Sequence, residues 1–266
     1  MRVTRRIDYK QDGFGYLDDV RQQIYIVNVA TGERRKVTNR PVDYNEPQWS
    51  PDGTRLAAQL PNSNGMCAQL GILDVETGEE QLVGPPTGTV TSWTWSPNGD
   101  RIVFTGDTKQ TWQADFFVYE TSGGSVKRGT EDLECLPNGA YGAGTGQPVW
   151  LDDNRVLYNA SRAGATGIWE IDLSVGESER VFGEQITLGG LSTDASKRYV
   201  VQTFGSLEAV GELAVFDRQT GAHTVITSYN KELFEQRPPA SWERLEIERA
   251  GYSIEAWLLF PPDFDA

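Results

Sequence analysis

The sequence has little of the side-chain chemistry that metal and cofactor sites require. It contains a single histidine, His223, and two cysteines, Cys67 and Cys135, in 266 residues. Two cysteines in a chain of this length form no disulfide framework, and one histidine gives a metal site few nitrogen ligands. We therefore expect no metal, no cofactor and a reducing compartment, which places the protein in the cytoplasm.

Long apolar runs are also missing, and we expect no secretory leader. No apolar run approaches the roughly 20 residues of a membrane-spanning helix, and the opening MRVTRRIDYK has no apolar core of a signal peptide. Acidic residues outnumber basic ones by 38 to 24, which gives a net charge of −14. Such a chain repels nucleic acids and anionic membranes, so neither is expected as a partner.

The motifs of hydrolytic sites are absent as well. Acyl transfer needs a nucleophile, a base and an oxyanion hole, and the Gly-x-Ser-x-Gly elbow that presents such a serine does not occur. The closest approximation, Gly123 to Ser125, falls in a predicted hairpin turn. We interpret His223 as an exposed residue of an outer strand, and Asp152 and Asp153 as turn residues. No catalytic residue is assigned.

What the sequence does contain is a repeated phrase of strand, tight turn and strand. It is clearest as PQWSPDGTRLAAQL at 47–60, returns as WTWSPNGDRIVFTG at 93–106, and is weaker at 148–160 and 189–203. Proline presets φ at the second turn position, and glycine takes the positive φ that follows. A second marker, a glycine-containing turn between two extended runs, recurs every 45 to 52 residues at Gly32, Gly78, Gly124, Gly176 and Gly221.

The two markers alternate along the chain, and each recurs once in about four short strands. This pattern is typical of β-propeller blades. We predict an all-β fold, a β-propeller fragment with four complete four-stranded antiparallel blades and one partial blade. The propeller occupies residues 1–229, with a partial blade at 1–38 and complete blades at 39–84, 85–130, 131–183 and 184–229. The runs that follow the tight turns, RLAAQL, RIVFTG, RVLYNA and RYVVQT, are predicted to be strands covered on both faces.

The pattern changes after residue 229. Residues 230–266 are predicted to form a linker helix, KELFEQ, capped by Asn230, and a hairpin that leads toward an α/β-hydrolase domain. The chain has five glycine turns but only four tight turns, so the first blade lacks its opening strand. The chain is therefore predicted to begin in the middle of a blade. RVTRRIDYK is then a second strand, and QDGFGYLDDVR is a loop.

An incomplete propeller exposes blade edges that pair readily with other chains. We expect closure by the C-terminal hairpin or association between chains, including a homo-oligomer.

The candidate binding residues follow from propeller topology. Residues that precede the inner strands ring one mouth of the central channel, and here they are 43–46, 90–93, 145–147 and 188–190. We select the polar members Glu46 and Gln147 as candidate substrate-gating residues. The glycine-rich segment at 131–147 is interpreted as a surface insertion.

The tryptophans recur at fixed positions of the repeat. We interpret them as packing between blades and not as an aromatic ligand site; they are Trp49, Trp93, Trp95, Trp150 and Trp169.

Three stretches resemble the propeller domain of the prolyl oligopeptidase family of serine peptidases, in its acylaminoacyl-peptidase and dipeptidyl-aminopeptidase branch. They are the opening RRIDYKQDGFGYLDDVRQQIYIVNVATGE, the phrases PQWSPDGTRLAA and TWSPNGDRIVF, and the end from SYNKELFEQ to LLFPPDF. In the family, an Asn-x-x-Leu stretch leads from the last blade into a hairpin around Asp-Gly, where the hydrolase domain begins. Ala250 stands here in place of that aspartate.

The resemblance implies a parent enzyme that hydrolyses peptides. The propeller would restrict access to the active site and contribute to substrate selection, and the partners would be a hydrolase domain and a peptide substrate. The family's catalytic serine, aspartate and histidine fall beyond the position that matches residue 266, so none is carried over. The chain has fewer blades than the family propeller usually has.

Two other classes of protein remain open at this stage. One is a stand-alone propeller for protein–protein interaction, like the periplasmic propeller of the Tol system, which shares the Trp-Ser-Pro-Asp-Gly repeat. The other is a propeller enzyme that uses channel carboxylates, such as a lactonase or glycosidase. The channel-facing acids do not recur between the repeats, which gives the last class no support.

Overall fold

In the computed structural model, the chain folds into two compact units. Unit 1 comprises Met1–Leu133, Asp152–Val156 and Asp172–Glu177, and unit 2 comprises Glu134–Leu151, Leu157–Ile171 and Ser178–Ala266. The predicted fold class is confirmed, since the chain forms four complete antiparallel propeller blades and a two-stranded partial blade. The structure describes residues 9–13, 15–17, 20–62, 66–109, 113–130, 133, 135–137, 146–184, 186–206, 209–261 and 264.

Unit 1 contains the partial blade and the first two complete blades. It begins with two small antiparallel pairs, β1 (Lys10–Gln11) with β2 (Gly15–Tyr16), and β3 (Tyr25–Val27) with β4 (Arg34–Lys36). The first complete blade consists, in order, of β5 (Asn45–Trp49), β6 (Arg55–Pro61), β7 (Ala68–Asp74) and β8 (Glu80–Val83). The second consists of β9 (Thr89–Trp95), β10 (Arg101–Asp107), β11 (Asp115–Glu120) and β12 (Ser125–Arg128).

Unit 2 contains most of the third complete blade, the fourth blade and the C-terminal hairpin. The third blade consists of β13 (Leu136–Pro137), β14 (Val149–Trp150), β15 (Arg155–Arg162), β16 (Ala165–Asp172) and β17 (Glu177–Phe182), with β13 and β14 both paired to β15. The fourth consists of β18 (Thr187–Thr193), β19 (Tyr199–Gly205), β20 (Glu212–Asp217) and β21 (His223–Val225). The chain continues through α1 (Lys231–Gln236), β22 (Ser241–Arg249) and β23 (Tyr252–Phe260).

Local hydrogen bonds explain why the repeated phrase folds as a tight turn. Ser50 Oγ donates to Asp52 Oδ1 at 2.6 Å, and the backbone N–H of Thr54 donates to the same oxygen at 3.1 Å. Gly53 has a φ of 70°, which lets its N–H donate to the Ser50 carbonyl at 2.9 Å. Asn98 accepts the corresponding bonds in the second blade. The bond from Ser50, followed by those from Thr54, lowers the pKa of Asp52 to about 2 because they stabilise its ionised form.

The second strand of the first complete blade is buried from both sides, as predicted. Leu56 and Leu60 of β6 belong to a core cluster with Ile24, which lies next to the partial blade. Ala57 belongs to a separate cluster with Trp93 of the second complete blade. Successive residues of β6 therefore pack against different neighbouring sheets of unit 1.

The corresponding prediction is wrong for β19. Val200 and Gln202 are buried, but Tyr199 and Val201 remain 40% and 36% exposed. The third blade covers the Val200 side, through a cluster that includes Leu157. Among the described residues of unit 2, only one face of β19 is covered, so its burial alternates.

The N-terminal segment also differs from the prediction. Residues 2–8 of the predicted second strand lie outside the described residues. Lys10 pairs with Tyr16 and Gln11 with Gly15, so a short hairpin occupies part of the segment that was predicted as a loop.

The predicted helix is present, but its start is held differently. Asn230 makes no side-chain capping bond; its Nδ2 donates instead to the Val210 carbonyl at 2.6 Å. Its backbone N–H donates to Glu212 Oε1 at 3.1 Å. The asparagine thus ties the helix start to the loop before β20, and the prediction of a side-chain cap is wrong.

The turn between β22 and β23 holds an alanine in a conformation that alanine disfavours. Ala250 has a φ of 52° and Gly251 a φ of 81°, the pattern of a type I′ turn, which prefers Asn-Gly or Asp-Gly. A left-handed backbone costs a residue with a Cβ roughly 1 kcal/mol, less for asparagine. We predict that Ala250→Asn raises the protection of β22 and β23 amides in hydrogen exchange, while Gly251→Ala lowers it. Equal protection in the two variants would contradict this assignment.

Candidate functional site

Glu46 lies at a bulge in the first strand of the first complete blade. β5 pairs Asn45 with Gln59 and Gln48 with Ala57, and the register shifts between these two pairs. Glu46 is exposed and has a φ of 49°. Bulges redirect side chains and are frequent beside functional sites, so the position is compatible with a contact residue.

Gln147 lies in unit 2, just before β14, and is half-buried. It precedes Pro148 as Glu46 precedes Pro47, so the two residues occupy the same repeat position in different units. Their role in substrate gating stays a prediction. Thr145, which was assigned to the same mouth, lies outside the described residues.

Side-chain amides of the preceding blade hold two of the predicted mouth segments. Gln59 Nε2 donates to the carbonyl of Val90 at 2.5 Å in unit 1, and Asn159 Nδ2 donates to that of Gly190 at 2.8 Å in unit 2. Gln59 and Asn159 are each the fifth residue of the second strand of their blade, which begins with an arginine in both cases. These residues position the inner strands, a role that the sequence did not reveal.

Four of the five repeat tryptophans are buried, as predicted. Trp49 is the exception, with 48% of its surface exposed. The prediction that Trp49 packs in the core is therefore wrong. Trp95 occupies the same repeat position one blade later, and the guanidinium of Arg55 lies 5.0 Å from its ring. The partial-blade residue that would correspond to Arg55 belongs to the predicted strand at 2–10, and residues 2–8 of that strand lie outside the described residues.

His223 is not an exposed strand residue, contrary to the prediction. Its ring stacks on Phe182 at a centroid distance of 4.6 Å and lies 5.3 Å from Phe204. Its Nε2 is buried without a hydrogen-bond partner among the described residues. Burial lowers the pKa of His223 below its usual value.

This burial predicts a pH-dependent stability. Because the pKa of His223 is lower in the folded than in the unfolded chain, the unfolded chain takes up the proton first as the pH falls through about 6.5. We predict that the free energy of unfolding decreases between pH 7 and pH 5, and that His223→Phe removes part of this decrease. Urea denaturation at pH 7, 6 and 5 measures it. Identical pH slopes for the two proteins would contradict the prediction.

A cleft of about 920 Å³ lies in unit 2, where the C-terminal hairpin packs over the ends of two blades. Its volume is within the range of small-molecule sites. The turn between β15 and β16, the segment before β18, the connection from β19 to β20 and the β22–β23 hairpin form its walls.

One face of the hairpin lines this cleft. Trp242 pairs with Leu259 and Arg244 pairs with Trp257, and all four line the cleft. Directly paired residues of antiparallel strands share a face, and neighbouring residues along a strand alternate between faces. The opposite face therefore carries the apolar residues Leu245, Ile247, Ile254, Ala256, Leu258 and Phe260.

The charged groups of the cleft are mainly paired with one another. Arg244 Nε donates to Glu255 Oε1 at 2.6 Å, and Arg180 forms an ion pair with Glu184. Arg162, at the end of β15, is the third arginine of the cleft.

Several known proteins are similar in sequence to part or most of this chain. Residues 13–143 match the family model PD40, the TolB beta propeller domain. Over 233 residues the chain is 23% identical to Dipeptidyl-peptidase 5 of Porphyromonas gingivalis, an alignment that covers 82% of this chain and 32% of the relative. Over 134 residues it is 34% identical to the uncharacterized peptidase YuxL of Bacillus subtilis (strain 168), covering 47% of this chain and 20% of the relative.

The chain is homologous to the propeller domains of serine peptidases. The resemblance to the prolyl oligopeptidase family is thereby confirmed. A solved acylaminoacyl peptidase, in complex with Z-Gly-Gly-Phe-chloromethyl ketone, has the same fold, with a TM-score of 0.72 at 14% identity over 99% of this chain and 40% of that chain. The chain spans about a third or less of the length of the curated relatives described above.

Sequence reasoning missed the cleft in unit 2. Its residues come from four separate segments that only the folded chain brings together. One signal was available, because strict alternation in SWERLEIER places Trp242 and Arg244 on one face of a strand.

Two negative findings concern the part of the chain that the structure describes. It contains no group of three or more His, Cys, Asp or Glu side chains placed to hold a metal ion. None of its helices has the length and apolar character needed to cross a membrane. Cys67 and Cys135 are buried and are not joined in a disulfide.

Proposed function

We propose that this chain is the non-catalytic propeller segment of a serine peptidase that cleaves peptides. In this proposal a hydrolase domain of the same protein supplies the catalytic residues. The propeller restricts access to the active site and contributes to substrate selection. The similarity to dipeptidyl-peptidase and acylaminoacyl-peptidase propellers supports a peptide as the substrate.

The observation that carries the proposal is the uncovered apolar face of the β22–β23 hairpin. Ile247, Ile254 and Leu258 on this face are each about 45% exposed. A two-stranded hairpin is marginally stable in water unless a further layer packs against it. The cleft face of the hairpin meets the blades, and a hydrolase domain would cover the other face.

The coding sequence that follows Ala266 tests this proposal. We expect it to encode a Gly-x-Ser-x-Gly motif, and we expect the full-length protein to hydrolyse acylated peptide p-nitroanilides until that serine is replaced by alanine. A stop codon directly after Ala266 would contradict the proposal.

The gating role has its own test in the full-length protein. Glu46→Ala and Gln147→Ala should change kcat/KM for long peptides at least threefold and leave a single-residue p-nitroanilide unchanged, because only long substrates contact the mouth. Glu33→Ala, at an exposed turn, is the matched control. Equal effects on long and short substrates would exclude a gating role for these two residues.

A stand-alone interaction propeller is the second candidate, favoured by the TolB description of the matching family model. It predicts a stable protein partner and no hydrolase domain. Cross-linking in cells followed by mass spectrometry distinguishes the two candidates.

We also propose a cellular location and an association between chains. Cys67 and Cys135 are not joined in a disulfide, which supports a cytoplasmic location that cell fractionation tests. The exposed face of β19 supports association between chains, and sedimentation velocity of the 266-residue chain measures its oligomeric state.

A further inference from the structure

We propose that ordered water binds at a buried polar site between the third and fourth blades of unit 2, where it joins the side-chain amides of Asn159 and Gln202. The two residues come from the second strands of these blades, β15 and β19. Water is the ligand that fits, because both residues are only 2% exposed and a peptide or a sugar does not reach groups buried so deeply. The inference goes beyond the proposed function and does not depend on it.

The two amides carry three polar atoms that the chain does not pair. Oε1 and Nε2 of Gln202 make no hydrogen bond to any described residue, and the same is true of Asn159 Oδ1. A buried polar atom without a partner is costly, so proteins pair almost all such atoms with protein groups or with ordered water. These three atoms therefore require a partner from outside the chain.

Both amides approach the same point of the fourth blade. Asn159 Nδ2 donates to the carbonyl of Gly190 at 2.8 Å. The register of β18 against β19 shifts between Gly189 and Ser192. Gly190 therefore lies in a bulge opposite Gln202.

The side chain of Gln202 points toward the third blade. Alternate residues of a strand share a face, so Gln202 lies on the same side of β19 as Val200. Val200 belongs to a core cluster with Leu157 of β15. Leu157 lies on the same side of β15 as Asn159. The two amides therefore face each other across the interface between the blades.

The bulge leaves room for water. Gly190 has a φ of 65°, and no atom of the described residues lies within 4 Å of the position that a Cβ would occupy there. A buried water makes about three hydrogen bonds. One water accepts a bond from Gln202 Nε2 and donates one to Asn159 Oδ1, and a second water donates to Gln202 Oε1.

The second blade shows that the fold does not require a polar residue at the position of Gln202. In each blade the last residue of the first strand pairs with a residue of the second strand, which is Ile102 in the second blade and Val200 in the fourth. Two residues further along stand Phe104 and Gln202. Phe104 is fully buried in an apolar cluster. A buried glutamine at this position of the fourth blade therefore needs its own explanation, and bound water provides one.

The water site lies next to two of the segments that were predicted to ring the channel mouth. Gly146, just before β14, packs directly on the bulge, because a Cβ there would overlap the backbone nitrogen of Leu191. Gly146 belongs to the predicted mouth segment 145–147, and Gly190 belongs to the segment 188–190. Water at this site would therefore help to hold both segments in place.

A crystal structure of the 266-residue chain, at a resolution that shows water, tests the proposal directly. We expect at least one ordered water within about 3.2 Å of both Gln202 Nε2 and Asn159 Oδ1. A direct hydrogen bond between the two amides, or no water density between them, would overturn the proposal.

The variant Gln202→Met gives an independent test, because methionine has a similar length but lacks the polar atoms of the amide. If water satisfies Gln202, the variant loses those hydrogen bonds. We then expect its melting temperature to fall by about 2 to 4 °C, the shift typical of losing one hydrogen bond in a chain of this size. Gln219→Met, at an exposed turn of the same blade, is the matched control and should leave the melting temperature unchanged. A melting temperature of Gln202→Met that rises or stays the same would mean that the amide has no partner to lose, and would refute the proposal.

A double variant tests whether the two amides share the water. Removing either amide already disrupts a shared site, so Asn159→Leu combined with Gln202→Met should lower the melting temperature by less than the sum of the two single shifts. Asn159→Leu also removes the bond to Gly190, but that loss is the same with and without Gln202→Met. Additive shifts would contradict a shared water.

Discussion

Replacing Trp95 with alanine is expected to lower the free energy of unfolding by about 3 to 5 kcal/mol, the range for deleting a buried aromatic side chain. Trp95 is 7% exposed and belongs to the core cluster between the first two complete blades. The guanidinium of Arg55 lies 5.0 Å from its ring, so the variant also loses a cation–π contact. The measurement is the urea denaturation midpoint and slope of the 266-residue chain.

Trp49→Ala is the matched control, because Trp49 occupies the same position of the repeat one blade earlier. Trp49 is 48% exposed, so its loss should cost less than half as much. Equal costs for the two variants would mean that the repeat position, and not the covering blade, determines the contribution of the tryptophan.

Replacing Gly106 with alanine is expected to lower the free energy of unfolding by about 3 kcal/mol, the upper part of the range for overpacking a core. Gly106 is buried in β10 opposite β9, just after a shift in strand register. A Cβ there would overlap the backbone carbonyl of Thr89. A backbone atom cannot move aside as a flexible side chain can, so the two strands would have to separate.

Gly123→Ala provides the control for Gly106→Ala. No atom lies within 4 Å of the Cβ position at Gly123, and its φ is not positive. This variant should be neutral or slightly stabilising, because alanine restricts the unfolded chain. Thermal denaturation of both variants compares them directly, and a similar loss at Gly123 would contradict the steric explanation.

Much of the fold could be predicted because it depends on neighbours along the chain. The hydrogen bonds of the Ser50 to Thr54 turn all form within five residues, so the letters Ser-Pro-Asp-Gly suffice to identify them. The same reasoning located the Ala250-Gly251 turn and the short helix before it. Residues such as Asn230, whose side chain reaches Val210, could not be predicted in this way.

The candidate site could be predicted only in part. Glu46 and Gln147 were selected from topology, and their function stays a prediction. His223 was assigned to the surface because its strand is polar, but Phe182 comes from the preceding blade to cover it. The cleft in unit 2 escaped prediction because its lining residues lie up to 97 residues apart in the sequence, from Arg162 to Leu259.

The sequence by itself determined the repeat, the tight turns and the order of strands in the first, second and fourth complete blades, since these follow from hydrogen bonds and periodicity within about 45 residues. It did not predict β13, the additional short strand of the third blade. Only the tertiary structure decided which faces of those strands are covered. Trp95 and Trp49 share one sequence context, yet one is buried and the other is exposed. Burial depends on the neighbouring sheet, and a sheet's own sequence does not say what packs against it.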